Sequence, residues 1–186
     1  MSYKNREIEI KLEVVGLSLS EVNKQLSELY SKQKTRMVFG KSSDTYWHLP
    51  SEAGADFARM RELEDGRTQM TVKAQDKGNA IDRLEIDVDT FTAPSRVAKL
   101  MRGMLGKPAA KIEKQYYVYW IDDNDHTTIS CYTVNSNEDK VYIEVESTSK
   151  NHVLTLEAQV LDKISDKATI KRAEGSLYQM YVKDSK

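Results

Sequence analysis

Apolar and polar residues alternate from about residue 6 to 15, which puts Ile8, Ile10, Leu12 and Val14 on one side of an extended chain and Glu7, Glu9, Lys11 and Glu13 on the other. The same period of two recurs at about 36 to 49, 56 to 64, 67 to 75, 80 to 89, 110 to 121, 127 to 134 and 139 to 147, so eight strands are expected. Turn-forming residues separate them at Glu64-Asp65-Gly66, Lys77-Gly78-Asn79, Asp122 to Asp125 and Asn135 to Asp139. Connections this short favour antiparallel hairpins.

The period lengthens to that of a helix in four places. Ser18-Leu19-Ser20-Glu21 forms a capping box ahead of Val22, Leu26 and Leu29 on one face. Pro94 suits a first helical turn, and the apolar stripe of Val97, Leu100, Met101, Met104 and Leu105 stops at Gly106. A third helix is expected from Asn151 to about Asp166 and a short one from Ser176 onward. The first two helices each interrupt a run of strands, which suggests two similar halves of roughly ninety residues. The fold class expected is α+β: an eight-stranded antiparallel sheet that closes into a barrel, since closure removes exposed edges, with flanking helices, in a single domain over residues 1–186.

The polar sides of these strands are unusual in carrying ions in repeated pairs. Besides Glu7, Glu9 and Lys11 there are Arg59 and Arg61 in the third strand, Lys73 in the fourth, Arg83, Glu85 and Asp87 in the fifth, and Glu144 and Glu146 in the eighth. A solvated sheet face would explain any one strand. A sheet curled with these faces inward instead gathers both signs of charge in a lumen, where ions need counter-charges, water or ligands. A polyanion with divalent cations meets both needs, because Arg and Lys suit phosphate oxygens and paired carboxylates suit Mg²⁺ or Mn²⁺. The chemistry that follows is metal-assisted attack on a phosphate chain.

Composition narrows the setting. With 28 basic against 29 acidic residues, the chain has no general attraction for nucleic acid or anionic lipid. The lone cysteine, Cys131, forms no internal disulfide, and His48, His126 and His152 lack zinc spacing, so a cytoplasmic location is expected. There is neither an apolar signal-like stretch at the N-terminus nor an apolar run long enough to span a membrane.

The motifs Glu7-x-Glu9-x-Lys11, Asp44-Thr45-Tyr46, Arg59-x-Arg61, Thr71-Val72-Lys73, Arg83-x-Glu85-x-Asp87, a basic residue before Tyr116-Tyr117, and Glu144-x-Glu146 stand in this order across nearly the whole chain. Together they resemble the CYTH domain of the triphosphate tunnel metalloenzymes. The resemblance implies an eight-stranded antiparallel tunnel that binds a triphosphate and one or two divalent cations, Mg²⁺ or Mn²⁺. It implies phosphate binding by Lys11, Arg59, Arg61, Lys73, Arg83 and Lys114, metal binding by Glu7, Glu9, Glu144 and Glu146, and catalytic roles for Lys11, Arg83 and Glu85. Members include inorganic, thiamine and RNA triphosphatases and class IV adenylyl cyclases. The implied activity is hydrolysis of a triphosphate, with formation of cyclic AMP from ATP, or capture of a nucleotide or polyphosphate without turnover, as alternatives. The partner expected is a triphosphate-bearing small molecule, not nucleic acid or a membrane, and a homodimer stays open.

Two strands depart from the family pattern. Lys114 stands where arginine is usual in the sixth strand, and Ile112 where lysine is common, with Lys111 out of register. Thr128 to Val134 carries no acid, although the seventh strand of the family commonly has a metal-binding aspartate. Gly40-Lys41-Ser42 is not a P-loop ending, because Thr35 stands where that loop requires glycine.

Overall fold

The computed structural model describes residues 5–31, 35–73, 82–121 and 127–183, with side chains except at 5–7, 51, 82–85 and 183. The strands are β1 (Asn5–Val15), β2 (Arg36–His48), β3 (Phe57–Leu63), β4 (Thr68–Lys73), β5 (Asp82–Thr90), β6 (Ala110–Trp120), β7 (Thr128–Val134), β8 (Asn137–Ser147) and β9 (Thr169–Arg172). The helices are α1 (Leu19–Tyr30), α2 (Pro94–Leu105) and α3 (Lys150–Ile164). A 3-10 turn at Ser51–Ala53 and a π-helical turn at Gln179–Lys183 complete the elements. The expected turns at Lys77-Gly78-Asn79 and Asp122 to Asp125 lie outside the described residues, as does His126.

The fold is α+β, with one antiparallel sheet in the order β5-β4-β3-β2-β6-β7-β8-β1-β9. This corrects the expected count of eight strands to nine. The extra strand, β9, pairs with β1 from Leu12 opposite Arg172 to Val15 opposite Thr169, and four residues without clear alternation leave little pattern to recognise. An additional pairing links β5 to β1. No residue register is described for it, so a closed barrel is not shown.

The described residues divide into two compact units, one of residues 5–6, 41–73, 82–113 and 174–183, the other of residues 7–31, 35–40, 114–121 and 127–173. They do not follow the two consecutive halves expected from the sequence, because β1 pairs with β8 rather than with its neighbours in the chain. In the unit containing β7 and β8, α1 and α3 pack on those strands. Leu12, Val14, Val22, Leu26, Ile129, Ile143, Val145, Val153 and Val160 are buried there, each such side chain contributing about 1.5–3 kcal/mol. The capping box of α1 is formed, with Ser18 accepting from the Glu21 amide and Glu21 accepting from that of Ser18.

In the other unit, α2 packs Val97 and Met101 on Trp47, Ala58 and Met60. Val72, Ile86 and Val88, on the same side of the sheet, remain exposed. The helix ends at Gly106, whose φ of +81° and ψ of −148° belong to a region that only glycine occupies comfortably. Gly106→Ala is therefore expected to lower stability by about 1–3 kcal/mol, although no atom lies in the way of a Cβ. A urea titration of the two proteins checks this, and coincident midpoints would remove the strain argument.

Candidate functional site

Register decides which side chains share a face, because directly opposed residues of an antiparallel pair point the same way. In the β1–β8 ladder Glu9 faces Glu146 and Lys11 faces Glu144. The β7–β8 ladder adds Thr128 opposite Glu146, Ser130 opposite Glu144 and Tyr132 opposite Tyr142. Among the residues just named, one face of three strands thus collects three carboxylates, an ammonium and four hydroxyls.

This face is largely shielded from solvent. The Lys11 side chain is 7% exposed, that of Glu9 13% and that of Glu144 14%. Lys11 Nζ lies 3.0 Å from Glu9 Oε1 and 2.9 Å from Glu144 Oε1. Tyr132 donates its hydroxyl to Glu144 Oε1 at 2.5 Å, and Thr128 donates to Glu146 Oε2 at 3.0 Å. Lys114, also buried, places Nζ 4.5 Å from the centre of the Tyr132 ring. One carboxylate oxygen from each of Glu9, Glu144 and Glu146 lies within 4.8 Å of the others.

Burial alone would push the Lys11 ammonium toward losing its proton, but the charges of Glu144 and Glu9 and their hydrogen bonds outweigh it and hold the pKa above the ordinary 10.5. For Glu144, burial pushes the carboxyl up, as does the Glu9 charge. Lys11, Lys114 and the Tyr132 hydroxyl prevail and hold it below the ordinary 4.5. A raised lysine pKa stabilises the fold fully below 10.5 and loses that contribution as pH climbs through the folded value; a lowered carboxyl pKa stabilises above 4.5 and loses it as pH drops through the folded value. Removing Lys11 leaves carboxylates buried together, and they then favour protonation. Lys11→Met is thus expected to cost about 3 kcal/mol near neutral pH, with the gap to the parent protein narrowing as pH is lowered to 4.5. Urea titrations at both pH values test the sign, and an equal gap at both would contradict it.

The other unit carries the arginines. Arg61 faces Asp44 across the β2–β3 ladder, and the pair is bidentate, with Nε 2.7 Å from Oδ1 and Nη2 2.8 Å from Oδ2. Asp44 is fully buried while Arg61 is 22% exposed, so the carboxylate fixes the plane of a guanidinium that still reaches solvent. Arg59 faces Thr71 and donates from Nη2 to its Oγ1 at 2.8 Å, and Thr71 in turn donates to Asp87. Lys73, two residues along β4 and on the same face, is buried. Three cations on adjacent strands, two of them guanidiniums with an aligned partner, form a platform suited to phosphate oxygens.

The expected site residues Glu9, Lys11, Lys114, Glu144 and Glu146 come together in one unit, and Arg59, Arg61 and Lys73 in the other. Glu7 lies in β1 and Arg83 and Glu85 in β5, but their side chains fall outside the described residues. Lys111 and Glu113 lie on the opposite side of β6 from Ile112 and Lys114, and Ile112 is buried. Tyr132, Thr128, Thr71 and Asp44 were not anticipated as partners. For Asp44 the signal was present, since it stands with the parity that faces Arg61. Cys131 is fully buried, and burial pushes its thiol up to about 12, which suits packing rather than nucleophilic attack.

A family model described as the CYTH domain matches residues 5–173. A search of curated proteins returns no match. Among solved structures, the PH1012 protein of Pyrococcus horikoshii OT3 aligns with a TM-score of 0.66 at 19% identity, covering 95% of this chain and 99% of that one. A conserved hypothetical protein of Pyrococcus furiosus aligns at 0.67 and 19%, with the same coverage of 95% and 99%. The adenylyl cyclase candidate HpAC1 of Hippeastrum, described as revealing a dominant triphosphatase activity, aligns at 0.62 and 12% identity over 94% of each chain. At these identities the likeness is one of fold.

Proposed function

The chain belongs to the CYTH domain family, and from that premise we propose that it is a cytoplasmic, divalent-metal-dependent hydrolase of a triphosphate: inorganic tripolyphosphate, thiamine triphosphate or a nucleoside triphosphate. The observation that carries the reading is the shielded cluster of Glu9, Glu144 and Glu146 around Lys11. A solvated sheet face has no reason to hide three carboxylates, and burying them is costly unless something offsets their charge. We propose further that residues 1–186 act as one domain whose sheet wraps into a tunnel. The family resemblance supports this.

The donor set fits Mg²⁺ or Mn²⁺. Three hard carboxylate oxygens lie close enough to share one ion. Glu9, Glu144 and Glu146 would hold the ion, and Glu7, two residues before Glu9 in the sequence, is proposed as a further ligand. When bound there, the ion supplies polarisation of phosphoryl oxygens and of an attacking water.

The chain's own residues do the rest. Arg59, Arg61, Lys73 and Arg83 hold the phosphate chain and neutralise its negative charge, which in phosphoryl transfer is most of the catalytic task. Asp44 and Thr71 orient the guanidiniums so that little reorganisation is left when substrate arrives. Lys11, kept protonated by its carboxylate neighbours, stabilises charge on the transferring phosphoryl group. Lys114 adds a second ammonium beside Glu144, and Glu85 would orient the attacking water for in-line displacement.

Release of phosphate from tripolyphosphate, ATP and thiamine triphosphate with Mg²⁺ or Mn²⁺ tests the proposal. Turnover above a Glu9→Gln control is expected, and none from any of the three would count against it. Cyclic AMP as the product from ATP would move the assignment to a cyclase. One observation favours a second reading, capture without turnover: β7 presents Thr128, Ser130 and Tyr132 to the acid cluster where a further acid is common. Tight binding with the ligand recovered unchanged would support that reading.

A further inference from the structure

α2 covers only part of the sheet beneath it. Val97 and Met101 lie on Trp47, Ala58 and Met60 of β2 and β3, and Met70 of β4 is partly buried against the same cluster. Beyond Met70 the cover stops. Val88 stands opposite Met70 and Ile86 opposite Val72 in the β4–β5 ladder, so all four point to the helix side of the sheet. Val72, Ile86 and Val88 are 37–46% exposed.

The helix holds apolar side chains over the same gap. With about 3.6 residues per turn, Leu100 and Met104 fall on one flank of α2 and Ala98 and Arg102 on the other. Ala98 and Arg102 line a hollow together with Ala110 and Lys111 of β6, the strand that neighbours β2. The Leu100 flank therefore looks the other way, over β4 and β5. Leu100 is 57% exposed and Met104 69%, and Phe91, in the link from β5 to α2, is 87% exposed. Gly103, beside them on the outer side of the helix, has nothing within 4 Å of where a Cβ would stand. A glycine weakens a helix, and here its bare surface leaves room for another backbone to approach closely.

Extent and shape indicate what covers this face. Taking about 150–200 Å² for a whole side chain of this kind, the six residues expose roughly 600 Å² of apolar surface, and monomers seldom leave a larger patch bare. One side of a standard-size interface buries about 800 Å², and homodimer contacts are about two-thirds apolar, so roughly 500 Å² of apolar surface is needed. The patch meets that need. Its form is also self-complementary, because the bare strip is two strands wide, about 10 Å, close to the diameter of a helix. A second copy turned about a two-fold axis sets the Leu100 flank of each α2 on the other's strip. A formal net charge of −1 gives two copies little reason to repel. A lipid surface would instead be met by the crest of the helix, where Arg96, Lys99 and Gly103 stand in place of apolar side chains.

We propose that two copies of this chain meet here, in an isologous contact of Leu100 and Met104 of each copy with Val72, Ile86 and Val88 of the other. The contact stands apart from the triphosphate reading, since none of these side chains belongs to the charged faces. Sedimentation velocity of the full chain over a range of concentrations tests it. A species of twice the mass of one chain is expected at micromolar protein, and the double change Val88→Glu with Leu100→Glu should raise its dissociation constant about a hundredfold. A protein that stays monomeric throughout, or a dimer equally tight in the double variant, would overturn the proposal. Phosphatidylglycerol vesicles are the second probe: a monomer that sediments with them, and no longer does so as the double variant, would overturn it in favour of a membrane contact. Should the double variant lose its circular dichroism signal, Met104→Glu alone, at an exposed position, serves the same comparison, with an expected weakening of about tenfold.

Discussion

Glu9→Gln is expected to lower phosphate release from tripolyphosphate by about a hundredfold or more while leaving the protein folded. Glutamine keeps the shape of the side chain and its hydrogen bond with Lys11, which retains its 2.9 Å ion pair with Glu144. What changes is the charge, from three carboxylates within reach of one ion to two. A hard divalent cation depends strongly on charged oxygen donors, so its affinity should fall with the rate. Steady-state rates over a range of Mn²⁺ concentrations, with circular dichroism as the folding control, separate weakened metal binding from collapse of the fold. An unchanged rate in a folded variant would remove the acid cluster from the mechanism.

A large effect on stability is also expected at Asp44. Its carboxylate is fully buried and satisfied by both nitrogens of the Arg61 fork at 2.7 and 2.8 Å. Asp44→Asn removes the charge that compensates a guanidinium only 22% exposed, and breaking a pair of this kind costs about 3–5 kcal/mol. The partial exposure of Arg61 argues for the lower end, because its own desolvation is incomplete. Substrate affinity should also weaken, since the arginine is no longer held in plane. Urea midpoints report the first effect and KM for tripolyphosphate the second. A loss below about 1 kcal/mol would mean that Asp44 and Arg61 are worth no more than a surface pair.

Much of this arrangement was legible in the chain because alternation is a local signal. The parity that separates Glu9 and Lys11 from Ile8 and Ile10 is the parity of the folded β1, and the same holds for Arg59 and Arg61 against Met60. Alternation does not say what covers each face. The shielding of Lys11 and Glu144 depends on the ladder from β1 through β8 to β7, a long-range pairing that no short window contains. The partners escaped for the same reason: Tyr132 meets Glu144, and Thr71 meets Arg59, only once register is known. The ninth strand, Thr169–Arg172, is short, with mostly exposed residues, and owes its pairing to the neighbouring β1 rather than to its own composition. Lys111 illustrates the converse: near the expected position in sequence, it lies on the opposite side of β6 from Lys114.

The most direct test is diffraction from crystals soaked with tripolyphosphate and Mn²⁺, read through the anomalous signal of manganese. A peak bound by Glu9, Glu144 and Glu146, with the phosphate chain on Arg59, Arg61 and Lys73, is the expected result. Manganese and tripolyphosphate seated away from these residues would contradict the assignment of the charged faces as the site of action.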